Sequence, residues 1–212
     1  MRIYSTMLGR KREFVPRDGQ VKMYVCGVTP YAPSHVGHAM SYVVFDVIRR
    51  YLEYRGYQVC HVQNFTDIDD KLIQQAIKED VPIQALANRN IEGYFNDMDR
   101  LNVKHAHAYP RATDEIPGII EMIRGLVDGG YAYPANGDVY YRVQRAPNYG
   151  KLSHRNIDGM MSGARVEIAA NKEHPLDFAL WKGYKPSDGD VCWDSPWGKG
   201  RPGWHIECSA MA

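Results

Sequence analysis

Apolar and polar positions follow two different periods over the first hundred residues, and the change of period predicts a strand, a helix and a second strand. Met23-Tyr-Val-Cys-Gly-Val28 is a short apolar run that reads as a buried strand, broken at Pro30 and Pro33. From there the chain restarts as a helix near His35. Its apolar residues Met40, Val43, Val44, Val47, Ile48, Tyr51 and Leu52 recur at intervals of three and four, and Gly56 supplies the stop. Residues 57–65 alternate and are rich in β-formers. A βαβ unit of this kind implies a parallel sheet with a right-handed crossover, and ligands of such sheets sit outside the carboxyl ends of the strands. Residues 26–29 and 64–66 are therefore expected to face each other across one cleft. Thr66-Asp-Ile-Asp-Asp70 is predicted to open the next helix, with Thr66 and Asp69 at capping-box spacing. A further helix is predicted over 83–101, with Leu86, Ile91, Tyr94, Phe95, Met98 and Leu101 on one side.

After Asn102 the pattern changes. A helix over about 114–127 ends at Gly129-Gly130, and 131–143 reads as a hairpin whose Asn136-Gly137 makes a two-residue type I′ turn. Residues 144–200 are rich in Gly, Pro, Asn and Asp, with strand-like fragments such as 165–169. The organisation this suggests is the first half of a nucleotide-binding fold over 1–104, an insertion over 105–200, and a return to the core over 201–212. Trp204-His-Ile-Glu-Cys-Ser-Ala-Met211 reads as the start of the returning helix. At the other end, residues 3–4 read as a short strand before a loop or hairpin, and Arg10-Lys11-Arg12 as a solvated surface.

Composition narrows this picture in three ways. A formal net charge of +1 argues against binding nucleic acid by bulk electrostatics alone. Four widely and irregularly spaced cysteines do not form a disulfide framework, and they fit thiols or metal ligands in a reducing compartment. No apolar run approaches the roughly 20 residues of a membrane span. The expectation is a cytoplasmic, monomeric enzyme with no membrane association.

The chemistry gathers near the start. His35-Val-Gly-His38 places two imidazoles at a helix N-terminus, where the first backbone N–H groups are expected to be unpaired and the dipole positive. Each ring can donate to a phosphate oxygen, and Gly37 lets a flat base approach the backbone. Metal binding and plain capping are the alternatives. Cys26 lies at the first strand end and Cys208 on the last helix, on the same turn as His205; each reads as a metal ligand or as a small buried hydrophobe. Thr66 stands out from its acidic neighbours because it sits where a strand end meets the cleft. Trp204 reads as core or as a platform beside that cleft, and Lys151-Leu-Ser153 with Arg155 as a polar loop.

Tyr24-Val-Cys-Gly-Val-Thr29, His35-Val-Gly-His38, Gln63-Asn-Phe-Thr-Asp-Ile-Asp-Asp-Lys71 and Gly203-Trp-His-Ile-Glu-Cys-Ser-Ala-Met211 together resemble the catalytic domain of the cysteinyl-tRNA synthetases, a class I family. Asp177-Phe-Ala-Leu-Trp-Lys182 and Ser195-Pro-Trp-Gly-Lys-Gly-Arg-Pro-Gly-Trp204 resemble its connective-peptide insertion. The resemblance implies an α/β, Rossmann-like parallel sheet carrying a mixed α+β insertion. It also implies activation of L-cysteine with ATP and Mg2+ to cysteinyl-adenylate, followed by transfer to tRNA(Cys). His35 and His38 match the family's signature for ATP phosphates, with Gly37 between them. Cys26 and Cys208 match two ligands of a zinc ion that the substrate thiolate completes. Gly27, Thr29, Asn64, Thr66 and Trp204 match the amino-acid pocket. A metal suits this task, because shape alone separates cysteine from serine by only ~1–3 kcal/mol, whereas zinc binds a thiolate far better than an alcohol.

The family's remaining zinc ligands, its Lys-Met-Ser-Lys-Ser loop and its anticodon-binding domain have no counterpart here. The expectation is therefore an N-terminal part of such an enzyme, lacking the second half of the fold, with labile zinc and weak or no activity alone. Two rival readings remain: a cysteine ligase acting on a glucosaminyl-inositol, and a non-catalytic zinc- or RNA-binding paralogue.

Overall fold

The computed structural model describes residues 1–155 and 171–212, so the strand-like fragment at 165–169 lies outside the described residues. In chain order the elements are β1 (Arg2–Ser5), β2 (Arg10–Glu13), β3 (Gln20–Val25), α1 (Val36–Tyr54), β4 (Gln58–Gln63), α2 (Asp70–Glu79), α3 (Ile83–Arg100), α4 (Ile116–Asp128), β5 (Ala132–Ala135), β6 (Asp138–Tyr141), β7 (Phe178–Gly183), β8 (Gly200–Pro202) and α5 (Trp204–Met211). They form two compact units, Met1–Val15 with Pro117–Ile206, and Pro16–Ile116 with Glu207–Ala212.

The second unit holds the predicted βαβ. β3 and β4 pair in parallel, from Gln20 opposite Gln58 to Val25 opposite Gln63. The first strand thus begins and ends earlier than the apolar run suggested, because Val21 and the following residues find ladder partners before Met23. The far edge of β4 is covered by residues 107–112, which run parallel to it: Gln63 N–H donates to Ala108 O at 3.1 Å and Phe65 N–H to Pro110 O at 2.9 Å. Residues Val25, Val28, Tyr42, Phe65, Ile91, Tyr94 and Met98 form the core beside this sheet. Phe65 and Tyr94 meet edge to face with ring centroids 5.4 Å apart.

The helices depart from expectation in two places. α2 begins at Asp70, and its cap is Asp69, whose carboxylate accepts from Lys71 N–H at 2.8 Å. Thr66 does not cap it, because its own N–H donates to Val28 O at 3.1 Å and holds it in the extended run beside β3. The second departure concerns α1. An apolar stripe on a globular helix ordinarily faces a core. Here the buried residues are Tyr42, Asp46, Arg49 and Leu52, while Met40, Val43, Val44, Val47, Ile48 and Tyr51 face solvent.

In the first unit, β1 and β2 form a hairpin, and β5 to β8 form an antiparallel sheet in sequence order. Asn136 and Gly137 both take positive φ, 54° and 87°, as the predicted type I′ turn requires. Val139, Leu180 and Trp181 are buried in this unit. No helix among the described residues is long and apolar enough to cross a membrane.

Candidate active site

The two strand ends do not face each other across a gap. They are stitched together. Gly27 N–H donates to Asn64 Oδ1 at 2.7 Å, and Asn64 Nδ2 donates to Thr66 Oγ1 at 3.2 Å. A Cβ at Gly27 would stand 1.5 Å from the Asn64 carbonyl oxygen, so only glycine lets the chains approach this closely. Asn64 is 0% exposed and Thr66 2%, so their side chains are turned towards each other and the backbone, while Thr29 is half-buried at the rim. From behind, Asn90 of α3 donates to Pro30 O at 2.8 Å and fixes the loop that leaves β3. The sequence offered no local sign of Asn90, whose partner lies sixty residues away.

Cys26, just past β3, and Cys208, on the last turns of α5, bring their sulfurs to 3.7 Å. Burial and the neighbouring Cys208 push the Cys26 thiol up, the hydrogen bond to Cys208 contributing most. Cys208 moves the other way, down to about 6, chiefly through its hydrogen bond with Cys26 and also through the Tyr24 hydroxyl. Burial pushes Tyr24 itself up. The two thiols are thus pushed in opposite directions, Cys208 towards the thiolate. Tyr24 was legible in principle, since residues two apart on a strand share a face.

The fit to a soft metal can be tested on these atoms. Tetrahedral zinc with bonds of ~2.3 Å to sulfur places two sulfurs ~3.8 Å apart. The pair meets that spacing, and the downward shift of Cys208 favours the thiolate form that a metal requires. Among the described residues no group of three or more His, Cys, Asp or Glu is placed to hold a metal, so the two thiols supply half a tetrahedral donor set.

At the N-terminus of α1 the expectation of free backbone donors is corrected. His35 is the N-cap, and its Nδ1 accepts from Gly37 N–H at 3.1 Å and His38 N–H at 3.3 Å. His38 Nδ1 in turn accepts from His35 N–H at 3.3 Å. The two rings stack with centroids 3.8 Å apart. Since each Nδ1 is an acceptor, each ring carries its proton on Nε2. The helix end therefore presents imidazole N–H donors in place of backbone ones. Burial lowers His38, and His35 adds to the effect. Gly37 also has a definite role, because a Cβ there would stand 2.9 Å from His35 Cε1. Trp204 belongs to the other unit, where it opens α5, is 59% exposed and lies 5.3 Å from the His205 ring.

The catalytic-domain family described as tRNA synthetases class I (C) matches residues 13–212. The chain belongs to this class I tRNA synthetase family. The cysteine–tRNA ligase of Dehalococcoides mccartyi is 59% identical over 213 residues, covering 100% of the chain and 46% of that protein. The cysteine–tRNA ligase of a Geobacillus species is 56% identical over 215 residues, covering 100% of the chain and 45% of the relative. This class I synthetase chain thus spans a little under half the length of the curated relatives it matches. Its fold also resembles that of Mycobacterium tuberculosis methionyl-tRNA synthetase bound by methionyl-adenylate, with a TM-score of 0.65 and 16% identity over 90% of the chain and 46% of that structure.

Proposed function

We propose that these residues belong to a site for ATP-dependent activation of L-cysteine and its transfer to tRNA(Cys). The observation that carries the reading is the Cys26–Cys208 pair, its sulfurs 3.7 Å apart, at the end of the strand that leads to the paired histidines. The relatives' name, cysteine–tRNA ligase, supports the choice of amino acid and acceptor.

In this reading Cys26 and Cys208 hold zinc. Bound there, the ion supplies a soft Lewis acid that accepts a thiolate and discriminates against a hydroxyl. Gly27 and Thr29 line the amino-acid pocket from the strand end, and Asn64 and Thr66 act beneath them as positioning residues. His35 and His38 bind ATP, taken with Mg2+, by donating from Nε2 to phosphate oxygens. Donors held in place before the reaction stabilise the charge that develops on the α-phosphate as the cysteine carboxylate attacks and pyrophosphate leaves. The insertion over 105–200 is read as the connective peptide.

The test needs no turnover. Cobalt(II) added to the chain is expected to give a thiolate-to-metal charge-transfer band that strengthens with L-cysteine, stays unchanged with L-serine, and disappears in Cys208→Ser. Equal responses to the two amino acids, or no band, would overturn the proposal.

A further inference from the structure

Cys26 and Cys208 are placed for a chemistry that amino-acid activation does not use. Their sulfurs stand 3.7 Å apart, and both residues belong to the same compact unit, with Cys26 exposed and Cys208 half-buried. A disulfide needs a separation of about 2.0 Å, so roughly 1.7 Å remains to be closed. The backbone is held on both sides of that gap. The Tyr42 hydroxyl donates to Cys26 O at 3.4 Å, and the N–H of the next residue, Gly27, is fixed on Asn64 Oδ1 at 2.7 Å. On α5, Cys208 follows Glu207 and precedes Met211, both buried, which anchor that part of the helix. Among the described residues no second thiol approaches Cys60 or Cys192 in this way. Two thiols presented this close from anchored backbones make the second step of thiol–disulfide exchange intramolecular, and such a step outruns attack by another molecule of oxidant.

We infer that Cys26 and Cys208 close into a reversible disulfide when the chain meets a small organic disulfide, and that the closed pair cannot hold a soft metal. In the first step one protein thiolate attacks a sulfur of the oxidant RSSR, forming a mixed disulfide and expelling RS−. The other protein thiolate then attacks the protein sulfur of that mixed disulfide, the Cys26–Cys208 bond forms, and a second RS− leaves. The two RS− take up the two protons that the thiols gave up, so one RSSR is reduced to two RSH for each bond made. Metals bind the thiolate, so closure removes both sulfurs from the donor set and reduction by a free thiol returns them. In the function proposed above, the site that takes a cysteine thiolate is thereby shut as the thiol pool around it is oxidised. The closure itself rests on the sulfur geometry and not on that function.

The experiment treats the 212-residue chain, stripped of metal with EDTA, with oxidised glutathione and reads intact mass and a non-reducing peptide map. The expected product is about 2 Da lighter than the reduced chain, carries no glutathione on Cys26 or Cys208, and yields one cross-linked peptide joining them; dithiothreitol restores the starting mass. A Cys60→Ser/Cys192→Ser chain should close at an unchanged rate, because neither residue takes part. Cys208→Ser should stop at a mixed disulfide on Cys26, with bridging to any other cysteine at least tenfold lower than in the native chain. Glutathione retained on both Cys26 and Cys208 would overturn the inference, as would a pair left unmodified or a bridge through Cys60 or Cys192. All of this is read on the metal-free chain. Failure of the cobalt test therefore leaves the closure standing, and absence of closure leaves the cobalt test open.

Discussion

α1 and α3 are almost equal in length, 19 and 18 residues, and both carry apolar residues at three- and four-residue spacing, yet they are turned in opposite senses. α3 places Leu86, Ile91, Tyr94 and Met98 in the core. α1 places its Val- and Met-rich face in water and anchors itself through Asp46 and Arg49. The difference separates two questions that periodicity alone runs together. The spacing of apolar residues establishes that a helix forms, but the groups opposite it establish which face is buried. For α1 those groups are the 102–107 loop carbonyls, amides and imidazoles, which match charge and not hydrocarbon. Buried charge of this kind adds little net stability when complete and is costly when one member is removed.

The contrast can be broken first at Tyr94. It is buried against Tyr42, Phe65 and Phe95, and its hydroxyl accepts from Gln63 Nε2 at 2.5 Å. Tyr94→Ala should cost ~4 kcal/mol in urea denaturation, as large aromatic truncations in a core do; a cost near that of a surface change would show that α3 does not anchor the core. The next effect is the pH dependence of the polar side. His61 lies beneath α1 with both ring nitrogens buried and unpaired, facing Arg49 and Asp46 of α1 and His107 of the loop. Burial lowers it to about 4, with Arg49 and then His107 adding to the shift and Asp46 opposing it. The unfolded chain takes up this proton near the ordinary value of about 6.5, so stability from neutral His61 is intact above that pH and is lost as pH falls towards 4. The part due to His61 should reach ~2 kcal/mol by pH 4.5, measured as the difference between native chain and His61→Phe in urea midpoints at pH 7.5 and 4.5. Equal acid sensitivity of the two would refute it. The smallest effect belongs to the outer face, where Met40→Glu should change stability by less than ~0.5 kcal/mol. A larger loss would mean that the stripe is covered in the isolated chain.

Much of the fold was legible in the chain, for reasons that differ by element. α1, α3 and β4 followed from period alone, and the β5–β6 hairpin from Asn136-Gly137, because only a few residues tolerate two consecutive positive φ angles. Residues 107–112 gave no sign of a strand, because their pairing to β4 is made by backbone groups and leaves no apolar period. Thr66 had the spacing of a cap but its N–H had a stronger claim from Val28 O, a contact thirty-eight residues away. In the site, the pairing of Cys26 with Cys208 came from family resemblance, since nothing local links residues 182 positions apart. The reciprocal use of Nδ1 by His35 and His38 was not visible at all. It depends on ring orientation, which spacing does not specify.

That reciprocal arrangement has a thermodynamic consequence. Each ring is immobilised by its neighbour and by the helix it begins, so its rotamer and tautomer are settled before any nucleotide arrives. Freezing a polar side chain on binding ordinarily costs roughly 0.5–1.5 kcal/mol, and here that ordering is completed during folding. The same coupling runs in reverse: loosening either imidazole also frays the first turn of α1, so loss of nucleotide affinity and loss of helix stability at this end should appear together.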